Sequence, residues 1–102
     1  MSHIQELRDV IVRLHGAEAT HVQSVPVKEK HQGKTVWDGV VEVFDLIGHP
    51  KTHRVYAWKH ETDEPGKPRH VTVLHIPPAI SPETAVRAAI IQEYRNRGTA
   101  EN

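Results

Sequence analysis

Thr35-Val36-Trp37-Asp38-Gly39-Val40-Val41-Glu42-Val43-Phe44-Asp45-Leu46-Ile47 is the stretch that decides the fold of this chain. It is rich in β-branched and aromatic residues and reads as a strand. Apolar groups fall on both parities, so the spacing predicts a central strand partly covered on both faces. Gly48-His49 follows. Glycine in first place predicts a two-residue type II′ hairpin into a strand over 51–60, which carries Val55, Tyr56, Ala57 and Trp58. That register sets Ile47 opposite Pro50, Val41 opposite Tyr56, and Gly39 opposite Trp58. A bulky indole beside a strand glycine covers backbone that glycine leaves bare.

Upstream, residues 20–30 read as an extended segment with Val22, Val25 and Val27. Parity changes between the first two, which a bulge or an irregular start of the strand explains. Pro26 cannot donate to a ladder, so this is an edge strand. His31-Gln32-Gly33-Lys34 is its turn. Downstream, Glu61 to Arg69 holds Asp63, Glu64, Pro65, Gly66 and Pro68 and reads as a solvated hairpin loop. A fourth strand covers 70–76, and Pro77-Pro78 stops it.

Helices flank the strands. Ile4, Leu7, Ile11 and Leu14 recur at helical spacing over 3–15. Ser2 and Gln5 form a capping-box pattern before them, and Gly16 stands at the C′ position. Ser81 caps a second helix over 82–97, with Pro82 at N1 and Glu83 in the first turn. Val86, Ala89, Ile90 and Tyr94 give it an apolar stripe, and Gly98 ends it, with 98–102 a disordered tail. The expectation is one α+β domain over residues 1–102, a four-stranded antiparallel meander in the order α-β-β-β-β-α. Each helix has one stripe, so both are expected on one sheet face, leaving the other face open.

Lys+Arg and Asp+Glu number 13 each, and cysteine is absent. Zero net charge gives little steering toward nucleic acid or an anionic membrane. Without cysteine there is no disulfide, thiolate nucleophile or cysteine-held metal. The N-terminal residues lack a leader pattern and no apolar run approaches a membrane span, so a cytoplasmic protein is expected.

The nine histidines supply the first candidate chemistry. His60 and His70 fall at the mouth of the hairpin whose loop carries Asp63. Two imidazoles and a carboxylate suit a divalent metal. His49 and His53 form a second pair, read more simply as a turn residue and an exposed strand residue. The second candidate is a strand face bearing Arg54, Tyr56, Trp58 and His60, with Trp37 beside it. Alternating aromatic and basic groups on an open sheet face stack bases and contact phosphates, with Lys51 and Lys59 as further contacts. With only five aromatic residues in the chain, the reading of these rings as core beneath the helices is favoured, and an interface is a third alternative. Ser2, Ser24 and Ser81 lack a nucleophile setting, and the six glycines form no phosphate loop. Glu42 and Asp45 are carboxylates on the central strand. Glu42 lies among apolar residues, where an acid/base role is open but a cross-strand ion pair or plain solvent exposure is the favoured reading.

The order of elements is similar to the α-β-β-β-α order of the double-stranded-RNA-binding domain, with one strand more. The second helix, however, opens Ser81-Pro82-Glu83-Thr84 without lysines to grip phosphates. The similarity is one of architecture and implies no function.

No catalytic residue and no cofactor is assigned. The leading expectation is a non-catalytic module that binds a protein partner or itself, through the open sheet face or the Pro26 edge. A nucleic-acid binder and a small histidine-based metalloenzyme are the alternatives.

Overall fold

The computed structural model describes residues 3–60 and 69–101. The chain runs α1 (His3–His15), β1 (Glu18–His31), β2 (Lys34–Ile47), β3 (Arg54–His60), β4 (Arg69–Leu74) and α2 (Pro82–Glu101). The strands form one open antiparallel sheet in sequence order. This is the α+β architecture that the pattern predicts, with β1 and β4 at the edges.

β1 and β2 are a long hairpin. Gln32 and Gly33 both have positive φ, at 52° and 78°, which closes the two-residue turn between His31 and Lys34. The ladder slips twice. It skips Val36 on β2 and Val22 on β1, so the two bulges compensate. The bulge near Val22 is one of the two explanations that the parity change allows; the one at Val36 was not anticipated. Each leaves a valine 44% exposed.

The two helices lie on opposite faces of the sheet, which corrects the expectation of a single covered face. α1 buries Leu7 and Ile11 against Phe44, Leu46, Val55 and Ala57. α2 buries Ala85 and Val86 against Val41, Val43, Tyr56 and Trp58. Odd and even positions of β2 and β3 point opposite ways, and both sets are apolar. A strand apolar on both sides needs a cover on both sides, and each helix has only one stripe to give.

α1 ends at Gly16, whose φ is +64° and whose N–H donates to the Val12 carbonyl at 3.0 Å. Leu14, counted in its stripe, is 61% exposed because only Leu7, Val10 and Ile11 meet the sheet closely. Ser2 and its box with Gln5 lie outside the described residues. α2 is capped as Ser81 predicts, but the reciprocal partner is Thr84. Ser81 Oγ accepts from the Thr84 N–H at 3.2 Å, and Thr84 Oγ1 accepts from the Ser81 N–H at 2.9 Å. The helix continues through Gly98 to Glu101, across the expected stop and into the segment expected to be a disordered tail; Asn102 lies outside the described residues. A glycine inside a helix costs about 1 kcal/mol and does not by itself end one.

The β2–β3 connection is longer than a two-residue turn. β3 begins at Arg54 and pairs Val43 with Tyr56 and Asp45 with Arg54. The register differs by two residues from the expected one, so the facing parity is unchanged. The His49 Nδ1 accepts the N–H groups of Lys51 and Thr52 at 3.1 and 3.3 Å, which holds a wider loop closed by Leu46 N–H to the His53 carbonyl. Gly39 lies beyond the β2–β3 pairs and not opposite Trp58, and its ladder partner is Val27 of β1. Its bare backbone is covered by Trp37, whose Cη2 would stand 3.0 Å from an added Cβ.

Because the two helices seal separate clusters, their core losses should add. Leu7→Ala should cost about 2–5 kcal/mol and Val86→Ala a smaller amount. The double variant should equal the sum within about 0.5 kcal/mol, read from urea midpoints. Coupling well beyond that would contradict two-faced packing.

Candidate functional site

Arg54, Tyr56, Trp58 and His60 share the face of β3 that α2 covers. Tyr56 and Trp58 are 2% and 3% exposed. They are core, the structural alternative weighed for these rings. Trp37 packs edge-on against Trp58, with centroids 5.7 Å apart. Arg54 pairs with Asp45 at 3.2 Å across β2 and β3. His60 lies beside this aromatic pair, in a crevice shared with Arg69 and Glu93. The stripe is thus assembled as predicted but is not an open platform for bases.

The proposed metal pair is not brought together. The β3–β4 register sets Lys59 opposite His70 and His60 opposite Arg69. One imidazole therefore stands on each face of the sheet. His70 Nε2 sits 3.5 Å from Glu6 Oε2 on α1 and makes no hydrogen bond. Asp63 lies outside the described residues. Among the described residues no group of three His, Asp or Glu side chains is disposed to hold a metal ion.

Glu42 is the one buried charged side chain of the described core, at 1% exposure. It sits on the α1 face between Val40 and Phe44. His3 Nε2 of α1 meets Oε2 at 3.0 Å, and His21 Nε2 of β1 meets Oε1 at 2.9 Å. The Ser24 hydroxyl donates a short hydrogen bond to Oε1. Ser24 lies opposite Glu42 because of the bulge at Val36; an unbroken ladder from the same turn would put Gln23 there. The His21 ring also packs edge-on on Phe44, 5.3 Å away. A buried carboxylate is costly unless it is hydrogen-bonded and paired. Burial alone favours the neutral acid and is the largest single influence on Glu42. The Ser24 hydroxyl and the His21 and His3 imidazoles outweigh it together, and the carboxyl titrates below its usual 4.5. The serine and both Nε2 atoms all converge on the carboxylate. The Ser24 hydroxyl also lies 3.4 Å from His21 Nε2, and both groups bond to the Glu42 carboxylate, so the cluster is a clamp that ties α1 and β1 to β2.

Other histidines gather at the end of the sheet where α1 finishes. His15 Nε2 bonds to Thr72 Oγ1 at 3.1 Å, and its ring lies 6.1 Å from that of His49. Burial first, then the neighbouring His49, lowers the pKa of His15 from 6.5. Tyr56 donates its hydroxyl to His75 Nδ1 at 2.6 Å. Burial raises the pKa of Tyr56; Arg54 opposes this and Glu83 adds to it. These contacts bind α1 and the β2–β3 loop to β4, and leave the Tyr56 hydroxyl committed.

An open concave feature lies elsewhere. Between α2 and the tip of the β1–β2 hairpin lies a groove of about 570 Å³, lined by Glu29, Lys30, His31, Val36, Arg87, Ile90 and Ile91. Its volume is in the range of ligand clefts, roughly 300–1,000 Å³. Val36 reaches it from the bulge. Ile91 is 53% exposed on α2, one residue past the Val86, Ala89, Ile90 stripe. Glu29 Oε1 accepts from Arg87 Nε at 2.5 Å along one wall. The sequence reading missed this site. Its signal was the isoleucine pair at 90–91, which widens the stripe of α2 beyond what one sheet face can bury.

No protein-family model, no curated protein and no solved structure matches this chain. Among the described residues no helix is long and apolar enough to cross a membrane.

The lowered pKa of Glu42 sets a pH dependence. A carboxyl whose folded pKa lies below its unfolded value adds stability that is fully present above about pH 4.5, and loses it as pH falls through the folded pKa. Urea midpoints taken from about pH 7 to about pH 3 should fall on the acid side. Glu42→Gln should be less stable at neutral pH by about 1–3 kcal/mol, with a shallower acid limb. An unchanged acid limb in that variant would show that Glu42 is not the titrating clamp.

Proposed function

We propose that this protein is a non-catalytic interaction module that seats a peptide segment of a protein partner in the groove between α2 and the β1–β2 hairpin tip. One observation carries the reading. Val36, Ile90 and Ile91 line an open, mainly apolar cleft, and two of the three are more than two-fifths exposed. An exposed aliphatic cleft rimmed by polar residues is the usual form of a peptide-binding groove. The bulge supports it further, since bulges re-aim side chains at sites of this kind.

The competing readings have less to rest on. Tyr56 and Trp58 are core, which leaves nucleic acid without its stacking anchors. The carboxylate, hydroxyl and imidazoles around Glu42 are engaged with one another. Pairing of two copies along β1 would meet Pro26 and the exposed Lys28 and Lys30, features that discourage strand addition. A cytoplasmic setting goes with this proposal.

The test is selection of a displayed random-peptide library on the full chain. Enriched peptides are expected to carry aliphatic side chains and to shift the methyl resonances of Val36, Ile90 and Ile91. They are expected to bind Ile91→Ser at least about fivefold more weakly. Failure to enrich any peptide, or shifts confined to other surfaces, would overturn the reading.

A further inference from the structure

We infer that the segment this groove takes is acidic as well as aliphatic, carrying carboxylates beside its apolar anchors. The inference rests on the groove being the contact surface and adds the chemistry of the occupant.

The hairpin tip reads Lys28-Glu29-Lys30-His31-Gln32-Gly33-Lys34. Lys28, Lys30, His31 and Lys34 are all exposed. Among the described residues, none of the three lysines is in an ion pair. The nearby acids are not free to balance them. Glu29 is 13% exposed at its side chain and is taken by Arg87. Asp38 stands opposite Lys28 in the ladder, on the far face of the hairpin. Among the described residues that leaves Lys30 and Lys34 uncompensated, with His31 between them, and Lys30 and His31 line the groove itself.

In a chain with 13 basic and 13 acidic residues this local excess is a matter of arrangement. Like charges gathered at an exposed tip repel one another. They are tolerated at small cost in water and become favourable when a partner of opposite charge arrives. The apolar wall and the cationic rim lie within one cleft. A ligand that satisfies both must present aliphatic side chains and carboxylates within a few residues. Phosphates alone would meet the lysines and leave Val36, Ile90 and Ile91 uncovered. For that reason an acidic peptide is favoured over a nucleic acid. A second copy of this chain would bring the same lysines against one another if it docked tip to tip.

The experiment uses three short synthetic peptides with identical leucine spacing, flanked by Glu, by Ser or by Lys, and labelled for fluorescence anisotropy against the full chain. The Glu peptide is expected to bind about tenfold more tightly than the Lys peptide, and to weaken as salt rises. The double variant Lys30→Glu, Lys34→Glu should reverse the order, with its thermal unfolding unchanged because both sites are exposed. Equal affinities, an order that survives the charge reversal, or displacement of the Glu peptide by single-stranded RNA and not by excess unlabelled peptide would each overturn the acidic assignment. The Ile91→Ser variant separates this from the groove reading. If it weakens all three peptides alike while the charge variant does nothing, the groove stands and the acidic assignment falls. If it leaves every peptide unaffected, the groove reading falls first.

Discussion

From Val41 to Leu46, β2 is apolar on both sides, and the architecture follows from that. Val41 and Val43 look one way and Phe44 and Leu46 the other, and all four are almost fully buried. One amphipathic helix covers one face. Two faces of about equal apolar content therefore take two helices, and the sheet between them becomes the middle layer. Burial of this kind contributes roughly 25 cal/mol per Å² of apolar surface removed from water. No arrangement with both helices on one side recovers it, because the other set of side chains would stay wet. β3 shares the constraint, with Val55 and Ala57 under α1 and Tyr56 and Trp58 under α2.

A strand buried on both sides has no place for a charge, yet Glu42 sits in the middle of that run. Its carboxylate persists because His3, His21 and Ser24 come to it from α1 and β1. Burial pulls one way and three hydrogen-bonding groups pull the other, and the groups win. The cluster therefore ties the first described turn of α1 to β2 and sets how β1 lies on β2. Such a clamp specifies an arrangement more than it stabilises one. A well-packed apolar residue often serves a buried position as well or better. At the other end His15 on Thr72 performs a similar tie to β4. Histidines set at both ends of α1 explain part of the unusual histidine content without recourse to a metal.

Local pattern made the elements legible. Periodicity gave α1 its bounds, Gly16 its cap, Ser81 the start of α2, and the parity change at Val22 its bulge. What local pattern did not give was anything depending on which layer covers which. The apolar content of both parities of the 35–47 stretch was visible, and it contained the two-faced answer. One stripe per helix says only that each helix covers a face; it is the second apolar parity of β2 and β3 that demands a cover on the other side. The β2–β3 loop failed for a different reason. Gly48 has the positive φ of +90° that such a turn asks for. But the His49 imidazole accepts two backbone N–H groups and stabilises a longer loop, and side-chain capping of that kind leaves no periodic trace. Among the candidate residues, the aromatic stripe was legible as a stripe. Its exposure was not, because exposure depends on where α2 packs. His60 and His70 were separated by a register one residue away from the one that would have joined them, and a one-residue difference changes the face.

The two bulges connect these results. The skip at Val36 shifts the hairpin register by one residue, and the skip at Val22 shifts it back. Between them the strands are offset relative to both ends. In that offset segment Ser24 stands opposite Glu42, which completes the buried clamp, and Val27 faces Gly39 beneath the Trp37 ring. Outside it, Val36 leaves the parity of its neighbours and joins Ile90 and Ile91 in lining the groove. Removing either bulge alone would turn a whole strand segment over. Without the skip at Val36 the register from the turn would set Gln23 opposite Glu42; without the skip at Val22 Ser24 would stay there, but Ala19 would leave the α1 face. The same pair of irregularities therefore serves the clamp on one face of the hairpin and the cleft on the other. A sheet without them would have a more regular ladder, would not set Ser24 against Glu42, and would not turn Val36 toward Ile90 and Ile91.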